Sequence, residues 1–255
     1  MAYPLRCIHC VVARHFTPFR QAVLVSSLIV FVVLLSGCGP VSSILPSGGA
    51  SATLTPTPRP TFVYVAIGAS ETFGYGADRP ATQSYPEDLG AHLPRGAQVI
   101  NLGIPGETAS GALQGELPEA LDAKPDLVTV WLGTNDIKDK VPLDNFQRDL
   151  DTILTQLATG THARIAVANL PDLTLLPYFY TYNQLVLKAK VKQWNAAISQ
   201  EVAAHHAILI DMYANSPDLI GHPEYLSGDG LHPSTLGYQL IATLFYEVLH
   251  TNGVI

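Results

Sequence analysis

The chain has 255 residues, 47% of them hydrophobic and 14% charged, which is enough for one domain with a full core and too little for two large ones. Its formal charge is −7, from 14 Lys and Arg against 21 Asp and Glu, with no long basic run. That balance argues against nucleic acid as a partner, because phosphate contacts need clustered cations.

Residues 1–21 carry Arg6, Arg14 and Arg20 and no acid, and an apolar run from Ala22 to Leu35 follows. The run is shorter than the ~20 residues a membrane-spanning helix needs and has the length of a signal-peptide core. It closes on Leu35-Ser36-Gly37-Cys38, which resembles the bacterial lipobox: a Leu, two small residues, then Cys. The resemblance implies that residues 1–37 are a lipoprotein signal peptide, cleaved before Cys38, whose thiol takes a lipid. The expected location is extracytoplasmic, on a bacterial membrane, with the membrane as partner through Cys38. An uncleaved signal anchor is the alternative. Cys7, His9 and Cys10 lack the second ligand pair that a zinc site needs. Beyond Cys38 there is no cysteine, so no disulfide framework is possible there, and 11 basic against 21 acidic residues leave a net charge of −10. Residues 38–61 are rich in Pro, Ser, Thr and Gly, with too little apolar surface to pack, and read as a tether.

From residue 62 short apolar runs alternate with longer amphipathic segments. Strands are expected at Phe62–Ile67, Gln98–Leu102, Leu127–Leu132, Arg164–Asn169 and Ala207–Ile210, each nearly continuous in apolar character, as buried parallel strands are. Helices are expected at Tyr85–Leu93, Ala109–Leu121, Leu143–Ala158, Asn183–His205 and Ser234–His250; in the third, Phe146, Leu150, Ile153, Leu154 and Leu157 form a helical stripe. The alternation predicts an α/β fold over residues 62–255: a single three-layer α/β/α domain with a mostly parallel five-stranded sheet.

The residues that carry chemistry fall after strands, where such sheets bind ligands. Ser70 follows the first strand, Gly103 the second and Asn135 the third; Asp229 and His232, three residues apart on a glycine-containing turn, follow the fifth. Singly, each has an ordinary reading: Ser70 as a helix cap, Gly103 as a turn residue, Asn135 as a cap, Asp229 as a turn former. Together they assemble a nucleophile, a base, an orienting acid and oxyanion donors. His92, His162, His205, His206, His222 and His250 lack such partners and read as surface or structural residues.

Four segments resemble, in order and at similar spacing, the blocks of the SGNH (GDSL-type) hydrolase family. They are Gly68-Ala69-Ser70-Glu71-Thr72, Asn101-Leu102-Gly103-Ile104-Pro105-Gly106, Gly133-Thr134-Asn135-Asp136 and Asp229-Gly230-Leu231-His232-Pro233. The resemblance implies a flavodoxin-like fold and a serine hydrolase that cleaves carboxylic esters through an acyl-enzyme. It makes Ser70 the nucleophile, His232 the base, Asp229 its orienter, and the Ser70 N–H, the Gly103 N–H and the Asn135 amide the oxyanion donors. No metal and no organic cofactor is implied. The sequence departs from the family pattern at Ala69, where the family has Asp, and at Glu71, where an apolar residue is usual.

Substrates expected from the resemblance are small-molecule or lipid esters, as for lysophospholipases, thioesterases and arylesterases. A carbohydrate O-deacetylase is the alternative within the fold, and a non-catalytic lipid- or glycan-binding lipoprotein the alternative of another class. Segment 171–187, apolar and aromatic, is either a lid or acyl-chain wall or a helix packed on the core.

Overall fold

The computed structural model describes residues 60–255. Segment 1–37, Cys38 and the tether as far as residue 59 therefore lie outside the described residues. Five strands form one wholly parallel sheet in the order β2-β1-β3-β4-β5. They are β1 (Phe62–Gly68), β2 (Ala97–Asn101), β3 (Leu127–Trp131), β4 (Arg164–Ala168) and β5 (Ile208–Ile210). All five predicted strands are present, with ends shifted by a residue or so.

Among the described residues, ten helices connect and cover them: α1 (Ser70–Phe73), α2 (Pro80–Gln83), α3 (Tyr85–Gly90), α4 (Ala109–Gln114), α5 (Glu116–Asp122), α6 (Thr134–Lys138), α7 (Leu143–Gly160), α8 (Gln184–Ala204), α9 (Ser216–Ile220) and α10 (Thr235–Thr251). The helix expected over Ala109–Leu121 is two helices, because the chain turns at Gly115. None of these helices is long and apolar enough to cross a membrane.

Side-chain alternation along buried strands splits the core into two layers. Val63, Val65 and Ile67 of β1, with Val128 and Val130 of β3, face α4, α5, α7 and α8. Tyr64 and Ala66, with Leu127 and Trp131, face α3 and α10. The stripe on α7 is fully buried and meets α8 through Phe146 and Trp194, whose rings lie 4.5 Å apart. Both long helices after the fourth strand begin on side-chain caps: Asn183 accepts from the Val186 N–H at 3.2 Å and Ser234 from the Gly237 N–H at 3.2 Å.

This order places a topological switch between β1 and β3. The chain leaves β1 toward β2 on one side of the sheet and returns to β3 on the other. Open α/β sheets bind ligands in the crevice beyond the strand ends at such a switch. Ser70 and Asn135 sit on the two short helices, α1 and α6, that follow these strands.

Candidate active site

Ser70 is the first residue of α1 and only 6% exposed. Its loop is braced from several directions. Glu116 of α5, 2% exposed, takes the Gly68 N–H on Oε2 at 2.7 Å. Burial pushes the Glu116 carboxyl up to about 8, against the lowering effect of that hydrogen bond. Asn101, at the end of β2, donates from Nδ2 to the Thr72 carbonyl at 2.8 Å and to Ser84 Oγ at 3.2 Å. Tyr238 of α10 donates its hydroxyl to the Tyr75 carbonyl at 2.8 Å. A buried chain of hydroxyls, from Tyr64 through Thr129 and Tyr85 to Thr72, packs behind α1. Ser70 is thus held by elements from both faces of the sheet, and the Glu116 carboxyl braces the loop from behind through the Gly68 N–H.

Asp229 and His232 are joined as the sequence predicts. His232 Nδ1 lies 2.6 Å from Asp229 Oδ2. Asp229 Oδ1 accepts from the N–H of Leu231 at 2.9 Å, the N–H of His232 at 3.0 Å and the Ser227 hydroxyl at 2.8 Å. Burial alone would raise the Asp229 carboxyl, but these hydrogen bonds outweigh it and hold the group far below the usual carboxylate range. The carboxylate therefore stays ionised and fixes the imidazole with Nε2 free to act.

The turn packs onto the Ser70 loop. The Tyr75 and His232 rings are 4.6 Å apart, and the Asp78 N–H donates to Thr235 Oγ1 at 3.0 Å. The Ser70 hydroxyl itself donates to Glu71 Oε2 at 3.2 Å. Glu71 also lines an apolar cavity with Trp131, Met212, Leu226 and Leu231, which borders the Asp229–His232 turn.

The oxyanion side requires one correction. Gly103 does not have a free N–H: it donates to Asn101 Oδ1 at 3.0 Å. A side chain at Gly103 would run into the backbone of Thr72 and Phe73, so this glycine serves close packing of the β2 loop on α1. Three residues on, Ile104-Pro105-Gly106-Glu107 forms a tight turn, with the Glu107 N–H on the Ile104 carbonyl at 3.0 Å. Gly106 has φ +89°, as the third position of a type II turn requires. Its N–H has no partner among the described residues, and the space beside its Cα is open. The signal for Gly106 in the sequence is the Pro105-Gly106 pair, which marks a type II turn.

Asn135, 4% exposed, donates from Nδ2 to the Glu107 carbonyl at 2.9 Å, next to Gly106. Its Oδ1 accepts from Lys138 Nζ at 3.1 Å, so both ends of the amide are fixed. One Nδ2 hydrogen remains for a ligand. The neighbouring Asp136, 1% exposed, takes the Ala109 N–H on both oxygens at 3.2 Å and so ties α6 to the start of α4. Burial raises its carboxyl to about 6. The Ser70 N–H also has no partner among the described residues. The Ser70 N–H, the Gly106 N–H and one hydrogen of the Asn135 amide are thus donors left over on loops that are tied together, Asn135 to Glu107 and Ile104 to Gly68.

Segment 171–187 does two things. Leu173, Leu176 and Phe179 pack into the core, while Tyr178, Tyr180 and Tyr182 face outward. The Tyr178 N–H donates to the Gly230 carbonyl at 3.1 Å, which ties the segment to the Asp229–His232 turn. Away from this crevice, Asp151, Glu201 and His205 bring potential metal-ligating atoms together. They are already satisfied: His205 Nε2 is 2.8 Å from Asp151, and Gln147 donates to Glu201 at 2.7 Å.

Comparison with known proteins supports the fold and the family resemblance. Residues 66–240 match the model of the GDSL-like Lipase/Acylhydrolase family. An acetylxylan esterase from Xylanibacter ruminicola is 29% identical over 217 residues, covering 74% of this chain and 43% of that protein. The chain thus spans less than half the length of this relative. An acetylxylan esterase from Geobacillus stearothermophilus is 23% identical over 163 residues, covering 59% of this chain and 71% of that protein. The crystal structure of a lipase/acylhydrolase from Enterococcus faecalis superimposes with a TM-score of 0.59 at 25% identity, covering 75% of this chain and 96% of that one.

Proposed function

The chain belongs to the GDSL-like lipase/acylhydrolase family, and on that premise we propose that it is a serine esterase acting through an acyl-enzyme at Ser70. The observation that carries the reading is the His232–Asp229 pair at 2.6 Å on a turn packed against the Ser70 loop. When substrate enters, the Ser70 hydroxyl turns from Glu71 to His232 Nε2, which takes its proton as Oγ attacks the ester carbonyl. Asp229 stabilises the imidazolium that forms. The oxyanion is met by the Ser70 N–H, the Gly106 N–H and the Asn135 amide. The imidazolium then protonates the leaving alkoxide, and water repeats the cycle on the acyl-enzyme.

Asn135→Ala tests the oxyanion assignment. Turnover of p-nitrophenyl acetate is expected to fall about 10²–10³-fold with KM little changed, because the amide acts on charge that develops only in the transition state. A change confined to KM would remove Asn135 from that role.

Two observations favour acetyl esters of carbohydrates among the substrate classes. Both curated relatives are acetylxylan esterases, and three exposed tyrosines beside the turn offer flat faces to sugar rings. Acetate release from acetylated xylo-oligosaccharides, compared with lysophospholipid hydrolysis, tests this: faster lysophospholipid turnover would favour a lipid substrate.

The lipobox-like Leu35-Ser36-Gly37-Cys38 supports a lipid-anchored, extracytoplasmic location, with residues 39–61 as the tether. Cys38→Ala is expected to abolish lipid labelling and release the protein from membranes; unchanged processing and labelling would refute the anchor.

A further inference from the structure

A groove beside the oxyanion side lies between the end of α6 and the start of α8. Its lining includes Lys138, Lys140, Lys190, Tyr182 and Val186, and contains no Asp or Glu. Three lysines therefore border one concavity of a protein whose net charge is negative, their aliphatic stems forming part of its apolar wall. Elsewhere on this helix a lysine is neutralised: Lys188 Nζ lies 3.1 Å from Asp172. Lys138, Lys140 and Lys190 have no carboxylate partner among the described residues.

The groove adjoins the candidate site through Lys138. Lys138 reaches Asn135 Oδ1 at 3.1 Å and stands 5.6 Å from the centre of the Tyr178 ring. Tyr178 in turn is hydrogen-bonded to Gly230 of the Asp229–His232 turn. A ligand whose ester lies at Ser70 would thus have its neighbouring units over Tyr178 and Tyr182, both 43% exposed, and its next charge among the lysines.

We propose that this groove is a subsite for the carboxylate of an acidic sugar, a uronic acid unit carried by the acetylated glycan that Ser70 deacetylates. The inference rests on the esterase reading above and deepens it. Complementary charge in a concave, partly desolvated groove selects one anionic group and raises the rate of encounter. The tyrosine faces supply the apolar contact that a sugar ring needs. A concave site of this size suits a single carboxylate better than a flat anionic bilayer.

The test compares acetate release from acetylated xylo-oligosaccharides with and without a glucuronic acid branch, at low and high salt. The wild-type protein is expected to prefer the acidic substrate in kcat/KM by about five- to tenfold at low salt, the scale of two partly exposed ion pairs. That preference should shrink in high salt. Lys140→Gln with Lys190→Gln should bring the ratio close to unity while leaving turnover of p-nitrophenyl acetate unchanged. A ratio near unity in the wild type, or one the double substitution leaves intact, overturns the subsite. Calorimetric titration of the Ser70→Ala protein with the deacetylated acidic oligosaccharide reads the groove without turnover, and so separates its failure from failure of the esterase reading. Equal affinity for the neutral oligosaccharide, or lysine-dependent capture of phosphatidylglycerol vesicles without sugar discrimination, would also refute it.

Discussion

Ser70→Ala is expected to lower turnover of p-nitrophenyl acetate by about 10⁴-fold or more, because no other group replaces the nucleophile that His232 activates. The fold should survive the change. The hydroxyl makes one side-chain hydrogen bond, to Glu71 at 3.2 Å, while the brace around the loop is carried by Glu116, Asn101 and Tyr238. Loss of one such bond costs about 1 kcal/mol, so the thermal midpoint should move by only a few degrees. The backbone N–H of residue 70 remains, and with it the oxyanion donors, so residual activity should exceed the rate in buffer. A loss of only a few-fold would place the nucleophile elsewhere.

Asp229→Asn is expected to cost about 10⁴-fold in kcat with the structure intact. The amide carbonyl can still accept from the N–H groups of Leu231 and His232, so the turn keeps its shape. The amide nitrogen then donates to Nδ1, which forces the proton onto Nε2, where the Ser70 hydroxyl needs an acceptor. The pH profile gives a second readout. Asp229 is held well below the usual carboxylate range and remains ionised throughout the working range of an esterase. The acid limb of the profile therefore belongs to another group, and no limb should be traceable to Asp229. Stability follows the same sign: a depressed carboxyl contributes above its unfolded value, near 4, and loses that contribution as pH falls.

Much of this site was legible because it depends on short-range chemistry. Asp229 and His232 are three residues apart, and a turn with a glycine between them leaves few other ways to arrange the pair. The strands were legible because burial on both faces forces continuous Val- and Ile-rich runs, as in Phe62–Gly68. The oxyanion glycine was less legible. Gly103 and Gly106 lie in one segment, and what separates them is a hydrogen bond from the Gly103 N–H to its own neighbour's side chain, Asn101. That bond is a local turn contact which an Asn two residues ahead permits but does not require. The break at Gly115 had a similar origin, since apolar periodicity runs through it while the chain bends to bring α5 and Glu116 under Gly68. The short helices α1 and α6 were missed because four or five residues show no period, yet they carry Ser70 and Asn135. In sequence, segment 171–187 suits lid and core equally, because Leu and Tyr residues are mixed along it; the structure turns Leu173, Leu176 and Phe179 inward and leaves Leu175, Leu185 and the three tyrosines exposed.

Covalent labelling with a fluorophosphonate, read by mass spectrometry of the intact and digested protein, tests the central claim most directly. The account predicts one adduct, on the peptide that contains Ser70, absent in Ser70→Ala and much slower in Asp229→Asn. A well-folded protein that takes no label, or that takes it at a residue other than Ser70, would contradict it.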